Sequence, residues 1–285
     1  MMQTARTQTR SVSMRVLTDD QVWEIRQAVF EVIEKSGFKC LHPAARQMLA
    51  GAGAVVDGDR VKIARYIVEG CLATAPKGWT IYIRRGRRPF EAKVCKSHYS
   101  TSTASPNTKD ALTGQYHETR VADIAIGARV ADALPNIDFA MPMGSCQDVD
   151  GRTADLHEFE AVVTIGYTPA GCEVVFEMAA VVAGGRERLK ERPFVMLYPE
   201  AISPFVFPTD VVERIFIAAD RFLPQVPGST AQPGATSPMT LAGTVVQVTA
   251  EALIHITLAQ LRRPGCPVAM SGNVGMLDMA TALLT

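Results

Sequence analysis

Six polar side chains stand where apolar runs break off into turns rich in proline and glycine: Gln147, Tyr198, Glu200, Ser229, Gln232 and Asn273. Their settings are Met143-Gly-Ser-Cys-Gln-Asp148, Tyr198-Pro-Glu200, Pro227-Gly-Ser229 with Gln232-Pro-Gly234, and Ser271-Gly-Asn273. A phenol, a carboxylate, a hydroxyl and amides at successive strand ends are the kind of groups that line a barrel enzyme's active site. Other constellations are weaker. His157 shares a helical stretch with Asp155, Glu158 and Glu160, which invites a metal reading. No second histidine stands at helical spacing and H-E-x-x-H is absent, so a solvated helix face is preferred. Cys146 with His157 could pair a nucleophile with a base, but nothing supplies the third group of an acyl-transfer site. His255 lies among Leu253, Ile254, Ile256 and Leu258 and reads as a packed core histidine. His98 with Tyr99 leads into a long polar stretch and is kept as a substrate-contact candidate. Arg84, Arg85, Arg87 and Arg88 read as a solvated turn in preference to an anion site.

The elements that must position these groups alternate. Thr18 and Gln21 form a capping box ahead of Val22, Ile25, Val29, Val32 and Ile33, and Gly37 ends that helix. A second helix opens at His42-Pro43, residues 54–63 read as a hairpin about Asp57-Gly58, and Arg65 to Thr74 is helical. From Thr80 to Gln115 there are strand fragments and turns, including the polar run from Ser100 to Asp110, too rich in breakers for a core element. After Thr119, apolar runs at 137–143, 194–198, 223–226 and 267–270 alternate with helices near 121–131, 153–164, 172–183, 209–221 and 240–262. Such alternation implies parallel strands with crossover helices. An open doubly wound sheet and a closed (β/α)8 TIM barrel both fit. No G-x-G-x-x-G or P-loop follows a strand, and polar groups cluster at the strand ends, so the barrel is favoured. The expected organisation is a disordered stretch at 1–16, an α+β extension over 17–118, and the first part of a TIM barrel over 119–285. The barrel is expected to be incomplete, because eight βα units need roughly 200–250 residues and the last residues run on as an apolar helix without a cap.

Composition narrows the class of protein. The 285 residues include 29 basic and 29 acidic side chains, and 47% are hydrophobic. A balanced charge offers no general attraction to nucleic acid or to an anionic membrane. Neither a targeting segment nor an apolar run of the roughly 20 residues that span a bilayer is evident, so the expectation is a cytoplasmic protein. The six cysteines are scattered with no C-x-x-C pair, which points to reduced, buried thiols and to no metal site.

Several strings carry a resemblance. Ser100-Thr-Ser-Thr-Ala-Ser-Pro-Asn-Thr-Lys-Asp-Ala-Leu-Thr-Gly114, Val130-Ala-Asp-Ala-Leu-Pro-Asn-Ile-Asp-Phe139, Leu197-Tyr-Pro-Glu-Ala-Ile-Ser-Pro204, Gln232-Pro-Gly-Ala-Thr236 with Leu241-Ala-Gly243, and Gly272-Asn-Val-Gly-Met-Leu-Asp-Met279 resemble the trimethylamine methyltransferase family. The resemblance runs from about Leu17 to the last residue. It implies a TIM-barrel enzyme that moves a methyl group from a tertiary or quaternary amine to the cobalt of a corrinoid (cobalamin) carried by a partner protein. A small methylated amine and a corrinoid protein are the implied partners, and a homo-oligomer is left open. Some members require pyrrolysine, whose position is expected beyond Thr285. One departure stands out: the family usually carries a turn and an apolar strand between the helix ending at Thr164 and the loop from Ile165, and here the two are joined directly. An inactive remnant or partial gene product is therefore the alternative to an active methyltransferase. On the enzyme reading, Tyr198 and Glu200 are expected to contact the cation. Gln147 and Asp148 would bind a substrate carboxylate or order the mouth, with capping of the helix at 153 as the other reading. Ser229, Gln232 and Asn273 would touch substrate or corrinoid, and Asp278 is expected to cap a helix.

Overall fold

Helix α1 (Asp19–Glu31) starts at Thr18, whose hydroxyl accepts from the Gln21 amide at 3.2 Å while the Gln21 side chain accepts from the Thr18 amide at 3.0 Å. This is the anticipated capping box. The structure, a computed structural model, describes residues 15–82, 89–93, 98–101, 105–162, 169–275, 277–278 and 283–284. The arginine cluster at 84–88, Cys95, the first fourteen residues and the direct junction after Thr164 lie outside them.

After α1 the chain makes a π turn (Val32–Ser36) and stops at Gly37, whose φ is 68°. A Cβ there would sit 2.2 Å from the Val61 carbonyl oxygen, so both conformation and space require glycine. Strand β1 (Phe38–Cys40), helix α2 (Pro43–Gly51), the hairpin β2 (Val55–Asp57) and β3 (Arg60–Lys62), and helix α3 (Arg65–Thr74) follow. His42 caps α2 by accepting the Ala45 amide on Nδ1 at 3.2 Å. Two small antiparallel pairs come next, β4 (Trp79–Ile81) with β5 (Phe90–Ala92), and β6 (Asn107–Lys109) with β7 (Tyr116–Glu118). The polar run that reads as a loop thus ends in the hairpin of β6 and β7. Asp110 holds its turn by accepting the Leu112 and Thr113 amides at 2.9 and 2.7 Å.

The remaining elements are helices α4 (Val121–Ala133), α5 (Ala154–Val162), α6 (Pro169–Ala183) and α7 (Arg186–Glu191), strand β8 (Val206–Phe207), helix α8 (Thr209–Asp220), strand β9 (Thr230–Ala231), helix α9 (Leu241–Arg262) and strands β10 (Asn273–Val274), β11 (Leu277–Asp278) and β12 (Leu283–Leu284). Asp278, expected ahead of a helix, stands in the strand β11 opposite Leu283.

Three extended segments lie side by side in sequence order. The Leu197 amide donates to Pro224 at 2.9 Å, Val226 to Leu197 at 2.8 Å, Gly228 to Pro199 at 2.8 Å and Ala201 to Gly228 at 3.1 Å. On the other edge, Gln225 donates to Pro267 at 3.1 Å, Ala269 to Gln225 at 3.0 Å and Asn273 to Ser229 at 2.8 Å. Every pairing among them is parallel, and α8 and α9 are the crossovers. A separate parallel contact joins Ser100 to Phe139 and Ser105 to Gly144. The architecture is mixed α/β, with sheets of two and four strands and no closed barrel among the described residues.

Packing ties the first third of the chain to the last. Strand β8 pairs in parallel with β1, completing a sheet in the order β2-β3-β1-β8. Phe38 and Phe207 meet edge to face at 5.3 Å across that junction, worth about 0.5–1.5 kcal/mol beyond the area they bury. The main core continues through Val61, Val212, Ile215, Ile254 and Leu258. A second core, around Phe159, Val175, Phe176, Leu197 and Leu223, lies under α5, α6 and α7. Helix α9, with 22 residues, is long and apolar enough to cross a membrane, but α1, α3 and α8 pack around it, which accounts for its apolar surface.

Candidate functional site

The parallel ladder gathers its polar groups at one end. Tyr198 and Glu200 come from the first segment, Thr230 from the second and Asn273 from the third. The Asn273 amide nitrogen donates to the Tyr198 hydroxyl at 3.3 Å, and the Thr230 hydroxyl donates to the Glu200 carboxylate. Glycine at 228 makes this possible, since a Cβ there would lie 2.7 Å from Glu200 Cα and 2.9 Å from the Tyr198 ring. Burial, then the neighbouring Glu200 charge, pushes the Tyr198 phenol up to about 12, so it is a neutral ring with a hydroxyl. Glu200 is exposed and Tyr198 half-buried.

The other expected site residues are placed differently. Ser229 is fully buried and its hydroxyl donates to Glu251. The Gln232 backbone forms a tight turn: its carbonyl accepts from Ala235, Thr236 and Ser237 at 3.0, 2.9 and 3.1 Å, and its amide donates to the Thr236 hydroxyl at 3.0 Å. Gln147 is exposed and donates to the Ser145 carbonyl at 2.9 Å, with its own amide on Thr119 at 2.8 Å. Its contacts are therefore with Ser145 and Thr119 and not with the Tyr198 group. Asp148 does cap a helix, but it is α4: its carboxylate accepts the Val121 amide at 3.0 Å.

Behind the ladder, α9 presents a polar stripe at four-residue spacing, Gln247, Glu251 and His255. Gln247 donates to the Thr236 carbonyl at 2.8 Å, and His255 Nε2 lies 2.9 Å from the Gln225 side-chain oxygen. Glu251, 1% exposed, accepts from the Ser203 hydroxyl at 2.8 Å, the Phe205 amide at 2.9 Å and the Gln247 amide at 3.3 Å, besides Ser229. The single acid among Ala250, Ala252, Leu253 and Ile254 was the sequence signal for this residue. His255 is the packed core histidine its neighbours suggest; burial, then the Arg214 charge, holds it down to about 3.

The cluster on α5 is split by the helix. Glu158 is fully buried and accepts from the Cys146 amide at 3.1 Å and its thiol at 3.5 Å. Burial pushes the Glu158 carboxyl up, and burial followed by the Glu158 charge pushes the Cys146 thiol up to about 11. Cys146 is thus a protonated packing thiol near neutral pH. His157 and Glu160 instead face a groove of about 590 Å³ shared with Val121, Ile126 and Arg129 of α4. Among the described residues, no three of the His, Cys, Asp and Glu side chains are grouped to hold a metal ion.

With this geometry in view, the comparisons with known proteins give the family. The model of the trimethylamine methyltransferase family matches residues 1–284, and the chain belongs to that family. A trimethylamine methyltransferase MttB of Desulfitobacterium hafniense (strain DSM 10664 / DCB-2) is 29% identical over 272 residues, covering 92% of this chain and 55% of the relative. The MttB of Methanosarcina thermophila is 30% identical, covering 94% of this chain and 59% of the relative. A glycine betaine methyltransferase of Desulfitobacterium hafniense (strain Y51) is 25% identical, covering 95% and 58%. The chain thus spans a little over half the length of the curated relatives it matches.

Proposed function

We propose that the protein moves a methyl group from a tertiary or quaternary amine, of the trimethylamine or glycine betaine type, to the cobalt of a corrinoid carried by a partner protein. The site lies at the mouth of a (β/α)8 barrel to which this chain contributes the ladder of 197–201, 224–231 and 267–275. One observation carries the reading: in a member of this family, three consecutive parallel segments bring Tyr198, Glu200, Thr230 and Asn273 to the same end.

A methylated ammonium has an apolar surface and a diffuse positive charge, which an aromatic face and a carboxylate both attract. The neutral Tyr198 ring offers the face, Asn273 fixes its hydroxyl, and Glu200 supplies the countercharge, with Thr230 setting its orientation. A quaternary amine has no proton to lose from nitrogen, so the site needs no general base. The strand-end groups also suit a visiting corrinoid, because they offer hydroxyl, carboxylate and amide groups and neither histidine nor thiol that would occupy the cobalt. When docked, the corrinoid supplies the nucleophile. This chain's part is to hold the methyl carbon in line at an open mouth.

The test is incubation of the purified protein with reduced cobalamin and a panel of methylated amines, with the demethylated amine detected by mass spectrometry. Demethylation of trimethylamine or glycine betaine is expected; none across the panel would overturn the reading.

A further inference from the structure

The buried carboxylate behind the strand ends has acceptor contacts but no ion pair among the described residues. Glu251 takes hydrogen bonds from Ser203, Phe205, Ser229 and Gln247, which come from the loop after the first segment, from the second segment and from its own helix. Both oxygens are engaged, and the Phe205 and Gln247 N–H groups can only donate, which suits a carboxylate acceptor. Among the described residues, no Lys, Arg or His side chain lies within ion-pair distance of it. A buried charge without a partner is costly, and a cation brought nearby recovers part of that cost. The residue next to Ser229 is Thr230, whose hydroxyl holds Glu200, so the buried acid and the exposed one flank the same strand end.

We propose that Glu251 is a specificity-determining residue: its charge, screened little by water, makes the site favour a cationic trimethylammonium head over an uncharged group of the same shape. It acts with Glu200 but without touching the ligand, and it also positions the turn at 203–205 against segment 224–231. The inference rests on the amine-binding reading given above.

The substitution Glu251→Gln isolates the charge. Oε2 faces only the Ser203 and Ser229 hydroxyls, which can rotate to accept from an amide NH2, while Oε1 keeps the Phe205 and Gln247 donors. The experiment is calorimetric titration of the whole protein and of E251Q with choline, with glycine betaine, and with the analogue of each that carries a tert-butyl group in place of the trimethylammonium head. Melting curves establish that E251Q is folded. The expected result is wild-type preference for the cation, cut by about tenfold in E251Q through weaker cation binding, with tert-butyl affinity unchanged. Glu251→Asp, which keeps the charge, should retain the preference. Equal loss for cation and analogue, or no change for either, would overturn the proposal, as would an E251Q chain that fails to fold. A wild-type protein that binds neither cation would instead sink the amine-binding reading and take this inference with it.

Discussion

Tyr198 and its neighbours can be questioned one side chain at a time. Truncating the ring in Tyr198→Ala removes the aromatic face and should weaken binding of a methylated ammonium by roughly 3- to 30-fold, the equivalent of about 0.5–2 kcal/mol. Tyr198→Phe, which loses only the hydroxyl's contacts with Asn273 and Thr230, should lose far less; calorimetry on the pair separates ring from hydroxyl. Two of the buried titratable groups, His255 and Glu158, give opposite pH dependences. His255 is held down to about 3 from 6.5, so the unfolded chain takes up a proton first as pH falls. Stability should therefore drop as pH goes from 6.5 towards 3, by at most about 1.4 kcal/mol per pH unit for one proton. Glu158 is raised above 4.5, so the stability it contributes is present below that value and is lost as pH rises through its folded pKa. Denaturant midpoints measured against pH should lose the first slope in His255→Gln and the second in Glu158→Gln. At this scale the sequence spoke unevenly. Tyr198, Glu200 and Asn273 each stand where an apolar run ends, and the structure joins Tyr198 to Asn273 directly. Ser229 has the same setting, but the alternation of a strand turns it inward to Glu251, and only the odd acid in α9 betrays that partner.

The elements follow local rules wherever those rules are strong. Thr18 with Gln21, His42-Pro43 and the hairpin at Asp57-Gly58 all fold as capping and turn chemistry requires. Short pieces held by distant partners do not announce themselves. Strand β8 is Val206–Phe207 alone and exists because β1 pairs with it. The hairpin of β6 and β7 is exposed and polar, so no alternation of apolar residues marks it. Helix α7 is six residues of mostly charged sequence around one buried leucine. The ladder itself depends on a close approach at Gly228. Gly228→Ala should cost about 1–3 kcal/mol and weaken amine binding together, because the added methyl meets backbone at Glu200 and the Tyr198 ring. Thermal melts read the first effect and calorimetry the second.

For the molecule as a whole, the main core is the unit that matters, since it joins β1–β3 and α1–α3 to α8 and α9. Ile254, fully buried, lies in that core. Ile254→Ala should cost about 2–5 kcal/mol. Hydrogen exchange should then show protection falling together in β1–β3 and in α9, whereas loss confined to α9 would mean that the two regions unfold separately. The alternation of apolar runs with helices makes the α/β class and the parallel pairings legible in the sequence. The expected barrel is not seen closed among the described residues, where three segments pair in parallel.

The most direct test of the central claim is methylation of cobalamin itself. The whole protein is mixed with reduced cobalamin and either trimethylamine or glycine betaine, and the visible spectrum is followed as the cobalt takes the methyl group. An amine-dependent shift to the methylated spectrum is expected, slowed in Glu200→Gln. A spectrum that stays that of reduced cobalamin with every methylated amine would contradict it.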